Sequence, residues 1–438
     1  MSVEYTKELC LNETGKEINK AIERIIDALT VKDDIYGFIE HMDVLSPSQR
    51  IEWTDKNADY TTPLTVNFSN GSYSLGSWAG FPALVENKPY MVRPDGTPDY
   101  QLDENDYTKK ADGTASDVAN ANYNGGAFSW MPRVYKYEAI NGTDRIVKFS
   151  FVKRPGFDPV GFLDEDNNEL TGRWIPMFYT TMDAGGASIA TKAYGNCVSN
   201  YNTSTERQYE LIQLFHRKAK FFAGAFVETL IDLMFLLTKT TNLQEALGYG
   251  NSQGQQNTSP YGMKDNAVIG GGQFYGTSDK RSLNKIFHSI VLGSYQQRLK
   301  DPYEVVKANG HVFVSPNYHF SVEAAEGYID TGIIGKKSSS AQTMYPLYYR
   351  TVKGYGSLPD INGPQGSTSE GPCDQMTTEP NNVIAITLRF GQVNSSESDA
   401  KKNGPRFRMW NRDWGDIDRN RSYYMGFSVM LDGKIDNK

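Results

Sequence analysis

The stretch MWNRDWGDIDRNRSYYMGFSVML, Met409–Leu431, carries the densest set of contact-making side chains in the chain. From Trp410 to Tyr424, fifteen residues hold two Trp, two Tyr, three Arg, three Asp and two Asn, directly before an apolar run. Trp, Tyr and Arg offer large contact area at modest entropic cost and dominate binding hot spots. Two readings fit these residues. They form a binding face held up by the last strand, or a polar network in which Arg419 and Arg421 pair with Asp413, Asp416 or Asp418 and lock the carboxy terminus to the core. Trp410 and Arg412 suit an internal pair, while Arg421, Tyr423 and Tyr424 suit an outward group.

Catalytic patterns are missing. The sequence has no G-x-S-x-G elbow, no H-E-x-x-H, no phosphate loop and no dinucleotide fingerprint. GYGNSQG and GGGQFYG are glycine-rich, but neither joins a strand to a helix with the Lys or acidic partner that nucleotide binding needs. The five histidines are scattered. Only His311 and His319 lie close, and Pro316 breaks the strand between them, so two structural histidines are expected rather than a metal pair. DEDNNE (Asp164–Glu169) and DENDY lack the ligand positions and glycine of a calcium loop and read as solvated turns. One further set is a calcium candidate. Glu379-Pro380-Asn381 precedes the run NVIAITLRF, and Trp410-Asn411-Arg412-Asp413 follows it. A Glu-Pro-Asn loop with a downstream Trp-Asn-Asp resembles the calcium-ligating residues of sugar-binding C-type lectins, which would make Glu379, Asn381, Asn411 and Asp413 ligands. Arg412 interrupts that pattern, and paired cysteines are absent. No other cofactor is expected.

The elements that must carry these residues begin with a chain of 438 residues, 39% hydrophobic and 12% aromatic, with 40 Gly and 27 Tyr. That composition supports a large core with many turns, in one large domain with appendages or in two to three domains. The net charge of −7 and a pI near 5.4 argue against nucleic acid as a partner. Cys10, Cys197 and Cys373 are widely separated and suggest neither disulfides nor a zinc site. The polar amino terminus predicts no signal peptide. Phe221–Leu237 is apolar but interrupted by Glu228 and Asp232, which suits a buried helix and not a membrane insertion.

Residues 14–40 read as one helical patch in which Ile18, Ile22, Ile25 and Leu29 follow the spacing of a coiled-coil seam. Such a helix packs on its own domain or on copies of itself; Ile at both seam positions favours three or more strands. TPLTVNFSNGSYSLGSW predicts a hairpin about Asn70-Gly71. FSWMPRVYKYEAI and DRIVKFSFVKR predict a strand pair through Asn141-Gly142. The stretch from Thr205 to Gly250 reads as the longest helical segment, with Thr205 and Gln208 as a capping box and Gly224 as a close-packing point or a break. Lys280–Arg298 reads as a second helical stretch, and NVIAITLRF and YYMGFSVMLDG as terminal strands. The expected class is α+β.

FSWMPRVYKYE, the helical stretch with FFAGAF and ETLIDLMFLLTKTTNLQEALGYG, and the ending Gly426-Phe427-Ser428-Val429 together resemble phage virion proteins with a C-type-lectin-like domain. That group includes formylglycine-generating-enzyme-like domains, the phage major tropism determinant and the variable proteins of diversity-generating retroelements. The resemblance covers roughly residues 80–438. It implies a C-type-lectin-like domain of short antiparallel strands with one long helical segment over 116–438, after a helical oligomerisation and attachment segment (1–45) and a β-rich lead-in (46–115). It implies ligand-facing residues at Trp410, Asn411, Arg412, Trp414, Arg419, Asn420, Arg421, Tyr423 and Tyr424. It further implies a homo-oligomer, commonly a trimer. The cysteine pair of the generating enzyme has no counterpart here, so no enzymatic activity is expected. The expected function is a structural virion protein of a bacteriophage, a fibre, spike or head decoration, that binds a host-surface glycan or protein and other virion proteins. The alternative is a purely structural capsid or tail component.

Overall fold

Aromatic and β-branched residues in alternation build the first sheet. Its strands run in the order Ile51–Asp55, Ile35–His41, Asp144–Ser150, Tyr135–Asn141, all antiparallel. Asp144–Ser150 alternates half-buried with buried residues, as a strand covered on one face does. Gly142 turns the last hairpin at φ +63°, the positive value a two-residue turn of type II′ asks of its first central residue. The computed structural model describes residues 34–433 except 69–71, 121, 179, 183–188, 191–197, 200–203, 249–285, 290, 293–297, 322–325, 336–341, 379–383, 391–403, 405, 407, 414–424 and 427–428.

A second, six-stranded sheet has the order Ala219–Phe221, Val429–Gly433, Gly172–Pro176, Gly126–Pro132, Pro89–Val92, Pro98–Gln101. Gly126–Pro132, Gly172–Pro176 and Val429–Gly433 are buried along their whole length, and the two charges they carry, Arg173 and Asp432, pair with each other. The third and largest sheet runs Ile329–Ile334, His311–Val314, Arg298–Val306, Ala385–Arg389, Arg408–Asp413, Met376–Thr378, Gln342–Met344, with Met425–Gly426 alongside Arg298–Val306. Residues from all three sheets share one hydrophobic cluster with the helix Gly224–Thr238. Every residue of that helix is buried, as suits a predominantly apolar helix at the centre of a large protein, and its two charges, Glu228 and Asp232, are ion-paired.

The architecture is predominantly β: twenty-five strands and four α-helices occur among the described residues. This corrects the expected α+β class with one long helical segment. The stretch 205–247 divides into helices Thr205–Phe215, Gly224–Thr238 and Leu243–Leu247, with the strand Ala219–Phe221 between the first two. Apolar periodicity runs through both segments, but Ala219–Phe221 is claimed by hydrogen bonds to Val429–Gly433. Gly224, at φ +66° against the rings of Tyr303 and Tyr318, opens the central helix. Ser204, not Thr205, caps the first helix by accepting from the Arg207 N–H.

The helical patch expected over 14–40 gives way to a strand at Ile35–His41, while residues 14–33 lie outside the described residues. Of the helical stretch expected at Lys280–Arg298, a 3-10 turn, Ile286–His288, and the helical residues Val291 and Leu292 are described. The hairpin expected about Asn70-Gly71 pairs Thr65–Asn67 with Ser72–Ser74. FSWMPRVYKYEAI divides between two sheets, and Pro89–Gln101 joins the same sheet as Val429–Gly433. No helix among the described residues is long and apolar enough to cross a membrane.

Candidate functional site

The carboxy-terminal segment hangs from a strand, Arg408–Asp413, held antiparallel by Ala385–Arg389 and parallel by Met376–Thr378. Arg408 and Trp410, two residues apart, both reach Glu304. The Trp410 indole N–H donates to Glu304 Oε1 at 2.8 Å, and Arg408 Nε donates to the same oxygen at 3.0 Å. Arg408 Nη2 also donates to Glu228 Oε1 of the central helix at 2.5 Å. Arg389 of the neighbouring strand pairs with Glu228, Asp301 and Glu304. Beyond Trp410 the ladder shifts register: Trp410 faces Thr387 and Arg412 faces Ile386, which leaves Asn411 as the extra residue of a bulge.

A second cluster lies one turn along the central helix, at Asp232. Arg145 Nη2 donates to Asp232 Oδ2 at 2.6 Å, Lys136 Nζ lies 2.5 Å from the same oxygen, and Arg406 Nη2 lies 3.6 Å from Oδ1. Glu40 accepts from Arg50 at 2.9 Å, Arg145 at 3.1 Å and Arg406 at 3.3 Å. Glu138 pairs with Arg145 at 2.7 Å and Lys136 at 2.7 Å. Ser357 joins the clusters, since its hydroxyl donates to Glu138 and its carbonyl accepts from Arg408 at 3.4 Å. Six carboxylates (Glu40, Glu138, Glu228, Asp232, Asp301, Glu304) thus face six cations (Arg50, Lys136, Arg145, Arg389, Arg406, Arg408). The formal charge of the buried network is zero.

Burial alone would raise the Glu40 carboxyl, but Arg406, Arg50 and Arg145 outweigh it and bring the pKa to about 2. Burial is likewise outweighed at Glu304, where Arg408 and Arg389 bring it to about 2. Asp374 behaves in the opposite way. Its oxygens accept from Gln244 at 2.6 Å and from the Arg406 backbone N–H at 2.7 Å, yet burial pushes its pKa up to about 7. Acids held ionised by guanidinium groups act as struts. They are not placed to exchange protons with a substrate.

Trp410 was a candidate for facing ligand. It is 1% exposed and bonded inward, so it belongs to the support. The backbones of Asn411, Arg412 and Asp413 continue the strand. Trp414, Arg419, Asn420, Arg421, Tyr423 and Tyr424 lie outside the described residues, as do Glu379 and Asn381 of the calcium candidate. His311 contacts Asp330 at 3.0 Å, and His319 packs on Gly327. Asp164 accepts from the backbone of Asp166 and Asn168, as a turn residue does. No group of His, Cys, Asp and Glu among the described residues could hold a metal ion. The residues missed in the sequence are Glu304, Arg389, Arg406, Arg408 and Arg145. The sequence carried a partial signal, Glu228 and Asp232 four apart on an otherwise apolar helix, but it did not name these partners.

No protein-family model matches the chain, and neither a curated protein nor a solved structure matches it.

Proposed function

We propose that the chain is a structural virion protein of a bacteriophage, a fibre, spike or head decoration, whose rigid β-rich body presents residues 414–424 to a host-surface glycan or protein. The observation that carries this reading is the fixing of that segment at both ends. It leaves a strand tied through Arg408 and Trp410 to Glu228 and Glu304. It returns to Val429–Gly433, a strand with partners on both sides, whose Asp432 Oδ1 lies 2.5 Å from Arg173 Nη1. The segment's Trp, Tyr and Arg content suits a contact surface, and the resemblance to phage virion proteins points the same way.

The coiled-coil spacing of Ile18, Ile22, Ile25 and Leu29 in the sequence supports a homo-oligomer, in this reading a trimer. Repeated copies raise effective concentration without new contacts. The burial of Trp410 favours a second reading, in which the chain is a capsid or tail component that binds only other virion proteins. Adsorption of the purified oligomer to host cells separates the two. In the attachment reading the protein adsorbs and blocks infection, and Arg421→Ala or Tyr424→Ala abolishes adsorption with an unchanged Tm. Binding to particles that lack the chain, without binding to cells, supports the structural reading. Loss of adsorption with a chelator supports the calcium candidate at Glu379, Asn381, Asn411 and Asp413.

A further inference from the structure

A cleft of about 730 Å³ opens between four segments. Its walls come from the loop 158–169, the turn at Pro316-Asn317, the edge strand from Ile329 with its lead-in at Gly327, and the hairpin tip 351–354. We propose that this cleft binds a neutral saccharide. This rests on the reading of the chain as an attachment component and names the receptor chemistry.

The walls are set before any ligand arrives. Arg173 donates to the carbonyls of Gly161, at 2.6 Å, and Leu163, at 2.5 Å, and Asn317 Nδ2 donates to the Glu165 carbonyl at 3.2 Å. Gly161, at φ +86°, lies so close to the central helix that an added Cβ would meet Phe226 Cα at 2.5 Å. The polar side chains of the lining are three carboxylates (Asp158, Glu169, Asp330), two amides, two hydroxyls and Lys353, so acceptors and donors are both present. Glu169 accepts from the Tyr135 hydroxyl at 2.8 Å with Lys153 beside it, and its pKa is lowered first by Lys153. Asp330 accepts from the Gly332 N–H at 2.8 Å, which lowers its pKa in turn. Asp158 is exposed on the rim. Carboxylates accept while the amides and hydroxyls both donate and accept, so the cleft suits a ligand that does both, as hydroxyl groups do.

Charge narrows the choice. Of the three carboxylates in the lining, Glu169 is already paired with Lys153 and Arg133 and Asp330 is bonded to His311, while Lys353 is the cation of the lining, so the cleft favours neither a strongly anionic nor a strongly cationic ligand. The apolar part of the lining consists of small aliphatic faces: Val160, Leu163, Val352 and Ile329. Ile329 is 51% exposed and has no cause in the core. The C–H face of a sugar ring matches such a floor, and its hydroxyls match the rim. The buried Thr351 hydroxyl has no hydrogen-bond partner among the described residues, although it lines the cleft. A ligand hydroxyl would satisfy it. An extended peptide fits less well. Ile329–Ile334 is an edge strand, but Gly332 at φ +65° and the Asp330 bond to its N–H break the row of groups that strand addition needs.

The test presents the full-length protein to an array of neutral oligosaccharides, sialylated and sulfated counterparts, and oligolysine peptides. The expected result is binding to neutral glycans. Asp158→Asn, Asp330→Asn and Thr351→Val are each expected to weaken it about tenfold, the loss of one buried or charge-assisted hydrogen bond, with the Tm unchanged. Preference for anionic glycans or for oligolysine overturns the proposal. So does cell adsorption that survives all three variants and is lost with Arg421→Ala; that result leaves the attachment function standing while the cleft falls. Failure to adsorb to cells at all, with neutral-glycan binding intact, retains the cleft and removes the attachment reading.

Discussion

At the scale of single residues, the clearest reassignment is Trp410. A tryptophan beside Asn and Arg before a terminal strand suits either a binding face or an anchor, and composition alone does not separate the two. Partner geometry does: the indole N–H points at a carboxylate that also takes Arg408 and Arg389. Trp410→Phe removes one charge-assisted bond and some volume. It is expected to lower unfolding free energy by about 2 kcal/mol, read from the urea midpoint, while adsorption per folded molecule stays constant. Lost adsorption at unchanged stability would instead place Trp410 on the ligand. Glu228 and Asp232 were legible as anomalies in an apolar helix. Their partners Arg145, Arg389 and Arg408 were not, because each lies 87 to 180 residues away in sequence.

At the scale of elements, hydrophobic periodicity located segments but did not distinguish their types. The hairpins at Thr65–Ser74 and Tyr135–Ser150 followed their turn residues closely. The helical segment was legible over Gly224–Thr238, where apolar residues run without interruption by Gly or Pro. It failed at 219–221, where a tertiary partner claims the backbone. Helix propensity is a weak prior, and a strand from the far end of the chain outweighs it. Ile35–His41 failed for the same reason, since both neighbours in its sheet bond to it. The close approach of loop 158–169 to the central helix gives a test at this scale. Gly161→Ala forces both a positive φ on a Cβ-bearing residue and a clash with Phe226 backbone. It is expected to cost at least about 2 kcal/mol, measured by denaturation, and to weaken any ligand of the adjoining cleft in parallel. A silent Gly161→Ala would mean that the loop moves freely and is not a prebuilt wall.

For the whole molecule, the buried network makes stability depend on pH in a particular way. Burying six carboxylates with six cations costs desolvation that their mutual attraction offsets only while all stay ionised. Glu40 and Glu304 have folded pKa values near 2 against an ordinary 4.5. Their stabilisation is therefore complete above about 4.5 and is lost as pH falls towards 2, on the order of 3 kcal/mol for each. Asp374 has the opposite sign. With a folded value near 7 against 3.8, it is protonated in the fold where the unfolded chain is not, so raising pH from about 4 to about 7 costs stability. Lys300, lowered by burial to about 7 from 10.5, restores stability as pH rises above 7. The expected Tm profile rises steeply from pH 2 to 4.5, declines gently towards 7 and recovers on the alkaline side. Asp374→Asn should remove the decline and leave the acid limb intact. Added salt should change the acid limb little, because the charges that drive it are shielded from solvent. A Tm that stays flat down to pH 2, or an acid limb that moves with ionic strength, would show that these carboxylates are not the ones that hold the sheets to the central helix.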